Sequence, residues 1–182
     1  AEGGGITTDY NQAIDVDLDK SSIPPYSGGF GFNVMWKGIG LTADFAWTAG
    51  AYALNNTLFF TANTYSGRMF YNQSEQALDY WKKPGDVTKY PALQYESKFD
   101  SHLIEDASFL RLKNIQISYT LPQSLLANSR FLKGFKVYVG ARNLFTITGY
   151  DGIDPEAATA VGSEIDVYAN TRQWTFGCEF KF

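Results

Sequence analysis

The sequence predicts an all-β fold, a transmembrane antiparallel β-barrel to which this chain contributes five strands, and three observations predict it. Apolar residues recur at every second position in five segments, the period of a strand with two unlike faces. The links between those segments alternate short and long. The composition is 16% aromatic and holds 17 Gly, a blend suited to strands and interfacial girdles rather than to helices.

Residues 1–28 read as an extracellular loop segment, and residues 29–182 as barrel strands with their loops. In the first strand Phe30, Phe32, Val34 and Trp36 alternate with Gly31, Asn33, Met35 and Lys37. Gly38-Ile39-Gly40 then joins it, as a tight hairpin, to a second strand in which Leu41, Ala43, Phe45, Trp47 and Ala49 share one face and Thr42, Asp44, Ala46 and Thr48 the other. The third sets Ile115, Ile117, Tyr119 and Leu121 against Asn114, Gln116, Ser118 and Thr120, and stops at Pro122. The fourth sets Phe135, Val137, Val139 and Ala141 against Lys136, Tyr138, Gly140 and Arg142. In the fifth, Trp174, Phe176, Cys178, Phe180 and Phe182 alternate with Gln173, Thr175, Gly177, Glu179 and Lys181. Each is close to the ~9–11 residues that a tilted strand needs to cross a bilayer.

A soluble β-sandwich also alternates, so the period alone leaves that alternative open. The links weigh against it. They are short at 38–40 and about 122–133 and long at about 51–107 and 147–170. Outer-membrane barrels distribute periplasmic turns and extracellular loops in this way, whereas a compact domain rarely carries a connection longer than ~15 residues. With short turns in the periplasm, the strands run down, up, down, up, down, and Phe182 lies at the periplasmic face. Five strands cannot close a barrel, since ~8 is the smallest bacterial number, so other strands are expected from a cut, separately encoded or longer chain.

The formal charge of −4 gives no basic stripe for nucleic acid. No run approaches the ~20 apolar residues of a membrane helix, so insertion has to be by strands. Cys178, the single cysteine, excludes an internal disulfide and reads as a small packed hydrophobe. His102 is the single histidine and has no serine elbow near it, poor material for a catalytic triad. Asp151, Asp154 and Glu156 lack the ligand spacing of a calcium loop and read as a solvated acidic loop, as do Asp9, Asp15, Asp17 and Asp19. Neither a metal nor a cofactor is expected.

The stretch Ser108-Phe109-Leu110-Arg111-Leu112-Lys113-Asn114-Ile115, continuing to Ser118-Tyr119-Thr120-Leu121-Pro122, resembles a late-strand signature of the SusC/RagA-like TonB-dependent outer-membrane transporters. Val137-Tyr138-Val139-Gly140-Ala141-Arg142-Asn143-Leu144-Phe145 resembles that family's G-x-N-L-F strand, and Gly149 to Glu156 the loop that follows it. Thr171 to Phe182 is similar to its closing strand, and Pro25 to Phe30 and Tyr80 to Asp86 also fit. The resemblance implies that the chain is the C-terminal portion, the last five strands, of a barrel of about 22 strands that encloses an N-terminal plug. It further implies TonB-energised import of oligosaccharides or peptides, glycan being preferred on the resemblance and the aromatic loop, under a SusD-like surface lipoprotein, at the outer membrane of a Gram-negative cell, typically one of the Bacteroidota. The plug and the TonB-contacting segment fall outside these residues and belong to the remaining N-terminal part of the transporter.

Within that frame Asp44, Asn114, Gln116, Arg142 and Glu179, with Thr42 and Gln173, are expected to face lumen or plug. Trp174, Phe176, Phe180 and Phe182 are expected to present the aromatic signal read by the barrel-assembly machinery, while also facing lipid. Tyr65, Tyr71, Tyr80, Trp81 and Tyr90 are candidates for substrate or lid contact, because aromatic faces stack on sugars and grip protein partners. A small core within the long loop is the competing explanation of the same residues, with a short helix from Ser74 to Trp81 as its anchor. A passive porin, an outer-membrane enzyme and a soluble binding module are the alternative functions. The porin would conduct without a plug, and an enzyme would need a nucleophile and base that the sequence does not offer.

Overall fold

The computed structural model describes residues 9–62, 72–96, 98–127, 129, 131–163 and 168–182. Five long strands dominate: β1 Tyr26–Trp36, β2 Ile39–Ala49, then after a long excursion β5 Phe109–Thr120, β6 Gly134–Arg142 and finally β8 Gln173–Lys181. Between β2 and β5 lie β3 Tyr52–Leu54, the helix α1 Asn56–Thr61 and β4 Ile104–Asp106. Helix α2 Gln123–Leu126 joins β5 to β6, and β7 Thr146–Thr148 and helix α3 Pro155–Val161 join β6 to β8. The long strands form one antiparallel meander in the order β1-β2-β5-β6-β8, with β7 continuing the pairing on β5 beyond the end of β6.

The first hairpin is tighter than Gly38-Ile39-Gly40 suggests. Its turn is Lys37-Gly38, both at positive φ (46° and 87°), so Trp36 pairs directly with Ile39 and Gly40 lies within β2. Positive φ at both central residues is the two-residue turn whose twist matches that of paired strands. Gly38 has a second reason to be glycine: a Cβ there would stand 2.6 Å from the Thr120 carbonyl oxygen.

The register gives the sheet two chemically distinct faces. Phe30 pairs with Phe45, Leu41 with Ile117, Ile117 with Val139, and Val139 with Phe176. On the other face Asp44 pairs with Asn114, Asn114 with Arg142, and Arg142 with Gln173. The apolar face is bare: Phe176 is 75% exposed, Trp36 64% and Trp174 61%. Cys178 stands on this face and is exposed, a correction to the packed position expected of it, because among the described residues no second layer covers β8.

The buried clusters sit at one end of the sheet. Leu58, Phe59, Ala62, Ala77, Tyr90 and Leu103 form one, inside the long excursion, and Ala53, Ala107, Tyr150 and Ala158 form another, where the two long loops meet. The helix expected from Ser74 to Trp81 is a single 3-10 turn, Glu75–Leu78, capped by the Ser74 side chain and contributing Ala77 to the first cluster. The chain then leaves the helical path because Tyr80 forms a bridge with Tyr90. Long loops occupy one end of the sheet, and the Lys37-Gly38 turn, the β5–β6 link and the end of β8 the other.

Candidate functional site

A β-bulge decides which side chains face the polar side. Asp44 pairs with Asn114, but the next β2 residue, Phe45, pairs with Leu112, which leaves Lys113 as the extra residue on β5. Above it the alternation is reversed: Leu110 and Leu112 join Phe45 and Trp47 on the apolar face, and Arg111 turns to the polar face with Ala46 and Thr146. Asn143, at φ 51°, makes the matching irregularity between β6 and β7, its N–H donating to the Lys113 carbonyl at 3.2 Å.

Arg111 is 3% exposed and is the centre of a polar cluster. Its Nε donates to Thr146 Oγ1 at 2.9 Å, Nη1 to Glu156 Oε2 at 2.7 Å and Nη2 to Asp154 Oδ1 at 2.6 Å. Lys113 Nζ also pairs with Glu156. Asp154 is the N-cap of α3, with Pro155 at the first helical position, and accepts from the N–H groups of Glu156 and Ala157. Its other oxygen accepts from the Asn170 N–H at 2.7 Å. Burial pushes the Asp154 carboxyl up, but the hydrogen bond from Arg111, that from the Asn170 backbone and the Arg111 charge outweigh it and hold it below its ordinary value. One carboxylate thus fixes α3, the strand that follows and the barrel wall together.

This corrects the reading of Asp154 and Glu156 as a solvated acidic loop. Asp154 is 3% exposed because a buried guanidinium awaits it, whereas Asp151 stays at the surface, 3.6 Å from Lys89 Nζ. The sequence held the signal: Leu110 and Leu112 fall out of phase with Ile115 and Ile117, which marks a bulge at Lys113 and turns Arg111 inward.

Of the residues expected to face lumen or plug, Asp44, Asn114, Gln116, Arg142 and Glu179, like Thr42 and Gln173, all lie on the polar face. Asn114 Nδ2 donates to Asp44 at 3.1 Å, and Glu179 pairs across the strands with Lys136. Trp174, Phe176 and Phe180 line the apolar face of β8, and Phe182 follows it with its ring 6.5 Å from that of Phe180.

Tyr80, Trp81 and Tyr90 come together in the long loop, where the Trp81 N–H donates to the Tyr90 carbonyl at 3.1 Å. Tyr90 is buried, donates its hydroxyl to Gln76 at 3.1 Å and belongs to the loop core. Burial, with smaller contributions from Glu105, Asp151 and Asp79, pushes its phenol up to about 12. Trp81 borders a 790 Å³ groove that also takes in Val87, Pro91 and Tyr95. Tyr65 and Tyr71 lie outside the described residues.

A second cavity, of 330 Å³, opens beside Arg111, between the ends of β6 and β7 and the loop carrying α3. The loops around it are tied to each other: the Leu54 N–H donates to the Gly162 carbonyl, and the Asp151 N–H to Glu105.

No protein-family profile matches the chain. Among curated proteins it is 30% identical over 170 residues, 87% of its length, to TonB-dependent receptor P3 of Formosa agariphila, and 33% identical over 81 residues to TonB-dependent receptor P39 of the same organism. Among solved structures it resembles the RagAB peptide importer in its open-open state, with 40% identity, 97% of this chain covered and a TM-score of 0.85. The closed-closed state of that importer gives a TM-score of 0.84 at the same identity and coverage. The chain spans 16% of the length of the P3 receptor and 19% of the matched RagAB chain.

Proposed function

We propose that this chain, a portion of the barrel of a SusC/RagA-like TonB-dependent transporter, serves as wall and mouth of an outer-membrane importer. The observation that carries the reading is the register itself, which collects the aromatic and aliphatic residues of five strands on one face and the polar ones on the other. From Tyr26 to Trp36 is about 33 Å along β1 at ~3.3 Å per residue, or about 25 Å along the axis of a barrel with strands tilted ~40°. That is the height of the apolar band on an outer-membrane barrel. Lipid covers this face, and the polar face meets the plug and the lumen.

The loop-bearing end faces outward. Its tied loops form a rim, and Tyr80 and Trp81 belong to it as contacts for cargo or for a SusD-like lipoprotein lid. RagAB is a peptide importer, and 40% identity along 97% of this chain supports peptides ahead of oligosaccharides as cargo. The near-equal likeness to its open-open and closed-closed states supports a fixed role for this wall while other parts move. The remaining barrel strands and the plug come from the rest of the transporter, TonB acts through that plug, and Trp174, Phe176, Phe180 and Phe182 serve assembly. No step of the reading calls for catalysis.

The test is uptake of labelled octapeptides by cells carrying the full transporter, with and without TonB. Uptake that disappears without TonB is the expected result. Uptake that persists without it, together with ion conduction in a planar bilayer, would make the protein a passive porin.

A further inference from the structure

The cavity beside Arg111 has a donor surplus. Asp154 is the acid on its lining, and its oxygens already accept from Arg111, from the N–H groups of Glu156 and Ala157, and from that of Asn170. It has little left to offer a cation. Arg111 has five N–H groups and donates through Nε, Nη1 and Nη2 once each among the described residues, so two remain. Arg172, on the same lining, makes no hydrogen bond or ion pair among the described residues. The lining amide of Asn143 spends a donor on the Thr171 carbonyl, and the Thr148 hydroxyl donates to the Ser108 carbonyl. The Arg111 charge is already paired with Asp154 and Glu156, so the unclaimed positive charge is that of Arg172, with the two spare Arg111 N–H groups beside it. Phe145, Ile153 and Pro155 add apolar surface next to them.

We propose that this cavity is a carboxylate-binding subsite at the mouth of the lumen, which takes the C-terminal carboxylate of a peptide with Arg172 and the two remaining Arg111 N–H groups as donors. A guanidinium matches a carboxylate in a planar, two-point fork, and a buried partner such as Arg111 strengthens the contact by excluding water. The volume of 330 Å³ equals that of about ten waters at ~30 Å³ each, room for a terminal residue. The subsite rests on the peptide reading above and narrows it to cargo with a free C-terminus.

The test uses the full transporter, purified with any natural partner, and two pools of octapeptides lacking Asp and Glu, one with free C-termini and one amidated. Wild type retains the free-acid pool over the amide by about tenfold, the yield of one charge-assisted contact. Arg172→Gln brings that ratio near one, and Arg172→Lys, which keeps the charge, preserves most of it. Equal retention of both pools by wild type, or an unchanged ratio in Arg172→Gln, overturns the subsite and leaves the peptide reading standing. Retention of neither pool removes the peptide reading and the subsite with it.

Discussion

Replacing Arg111 by Met removes three side-chain hydrogen bonds, to Thr146, Glu156 and Asp154. Glu156 keeps Lys113 as a partner and is about one-third exposed, so its loss is small. Asp154 is different. It is 4% exposed at the side chain and is left with backbone donors alone in a site built for an ion pair. Removing one partner of a buried pair costs about 3–5 kcal/mol. At the lower limit, and ~1.36 kcal/mol per tenfold, the loop that carries α3 opens about 100-fold more often. Hydrogen exchange of the detergent-solubilised transporter reads this at the amides of Glu156, Ala157 and Asn170, which donate to Asp154. The companion variant Arg111→Met/Asp154→Asn leaves no charge stranded, keeps a side-chain oxygen for the Glu156 and Ala157 amides, and is expected to recover much of their protection. Acceleration of less than about threefold in the single variant, or equal loss in both, would refute the clamp.

The same carboxylate fixes a pH dependence. Its pKa is lowered in the folded state, so its contribution is complete above the unfolded value of ~3.9 and is lost as pH falls through the lower folded value. Loop protection should be flat from about pH 8 to 5 and collapse only below about 4. Tyr90 behaves in the opposite sense: raised to about 12, its phenol supports the loop core below the unfolded value of ~10, and the core loosens as pH rises from there towards 12, visible in the ultraviolet absorbance of tyrosinate. Phe176→Lys places a charge at the middle of β8 on the apolar face and should cost about 2–4 kcal/mol in bilayer unfolding. Thr175→Lys, on the polar face one residue away, should cost far less. Gly38→Ala meets both the positive φ and the Thr120 carbonyl, and should destabilise the first hairpin by about 1–3 kcal/mol, measured as a lower urea midpoint of the refolded barrel.

Much of the wall was legible in the sequence because a strand with lipid on one side and water on the other has to alternate, and the alternation names its faces residue by residue. Asp44, Asn114, Gln116, Arg142 and Glu179 fall on the polar face for that reason. Short-range conformational choices were less legible: the turn at Lys37-Gly38 depends on a non-glycine residue adopting positive φ, which the sequence does not demand. The clamp was missed because its partners, Arg111 and Asp154, are 43 residues apart and meet only once the bulge reverses the strand's facing. Composition likewise describes a Tyr-rich loop without separating Tyr90, buried in the loop core, from Trp81, which borders a groove.

A transporter wall requires one face of the sheet to meet lipid, and site-directed spin labelling along β8 of the bilayer-reconstituted transporter tests which face does. Cys178 supplies the first label once any cysteine elsewhere in the transporter is replaced, and single cysteines from Gln173 to Lys181, with Cys178→Ser added to that background, supply the others. The expected result is a two-residue period: labels at positions 174, 176, 178 and 180 relaxed by oxygen dissolved in the lipid, and labels at 173, 175, 177 and 179 relaxed by a water-soluble nickel chelate or shielded from both reagents. Chelate access at positions 174 to 180 without alternation, or the opposite phase, would contradict a lipid-facing wall.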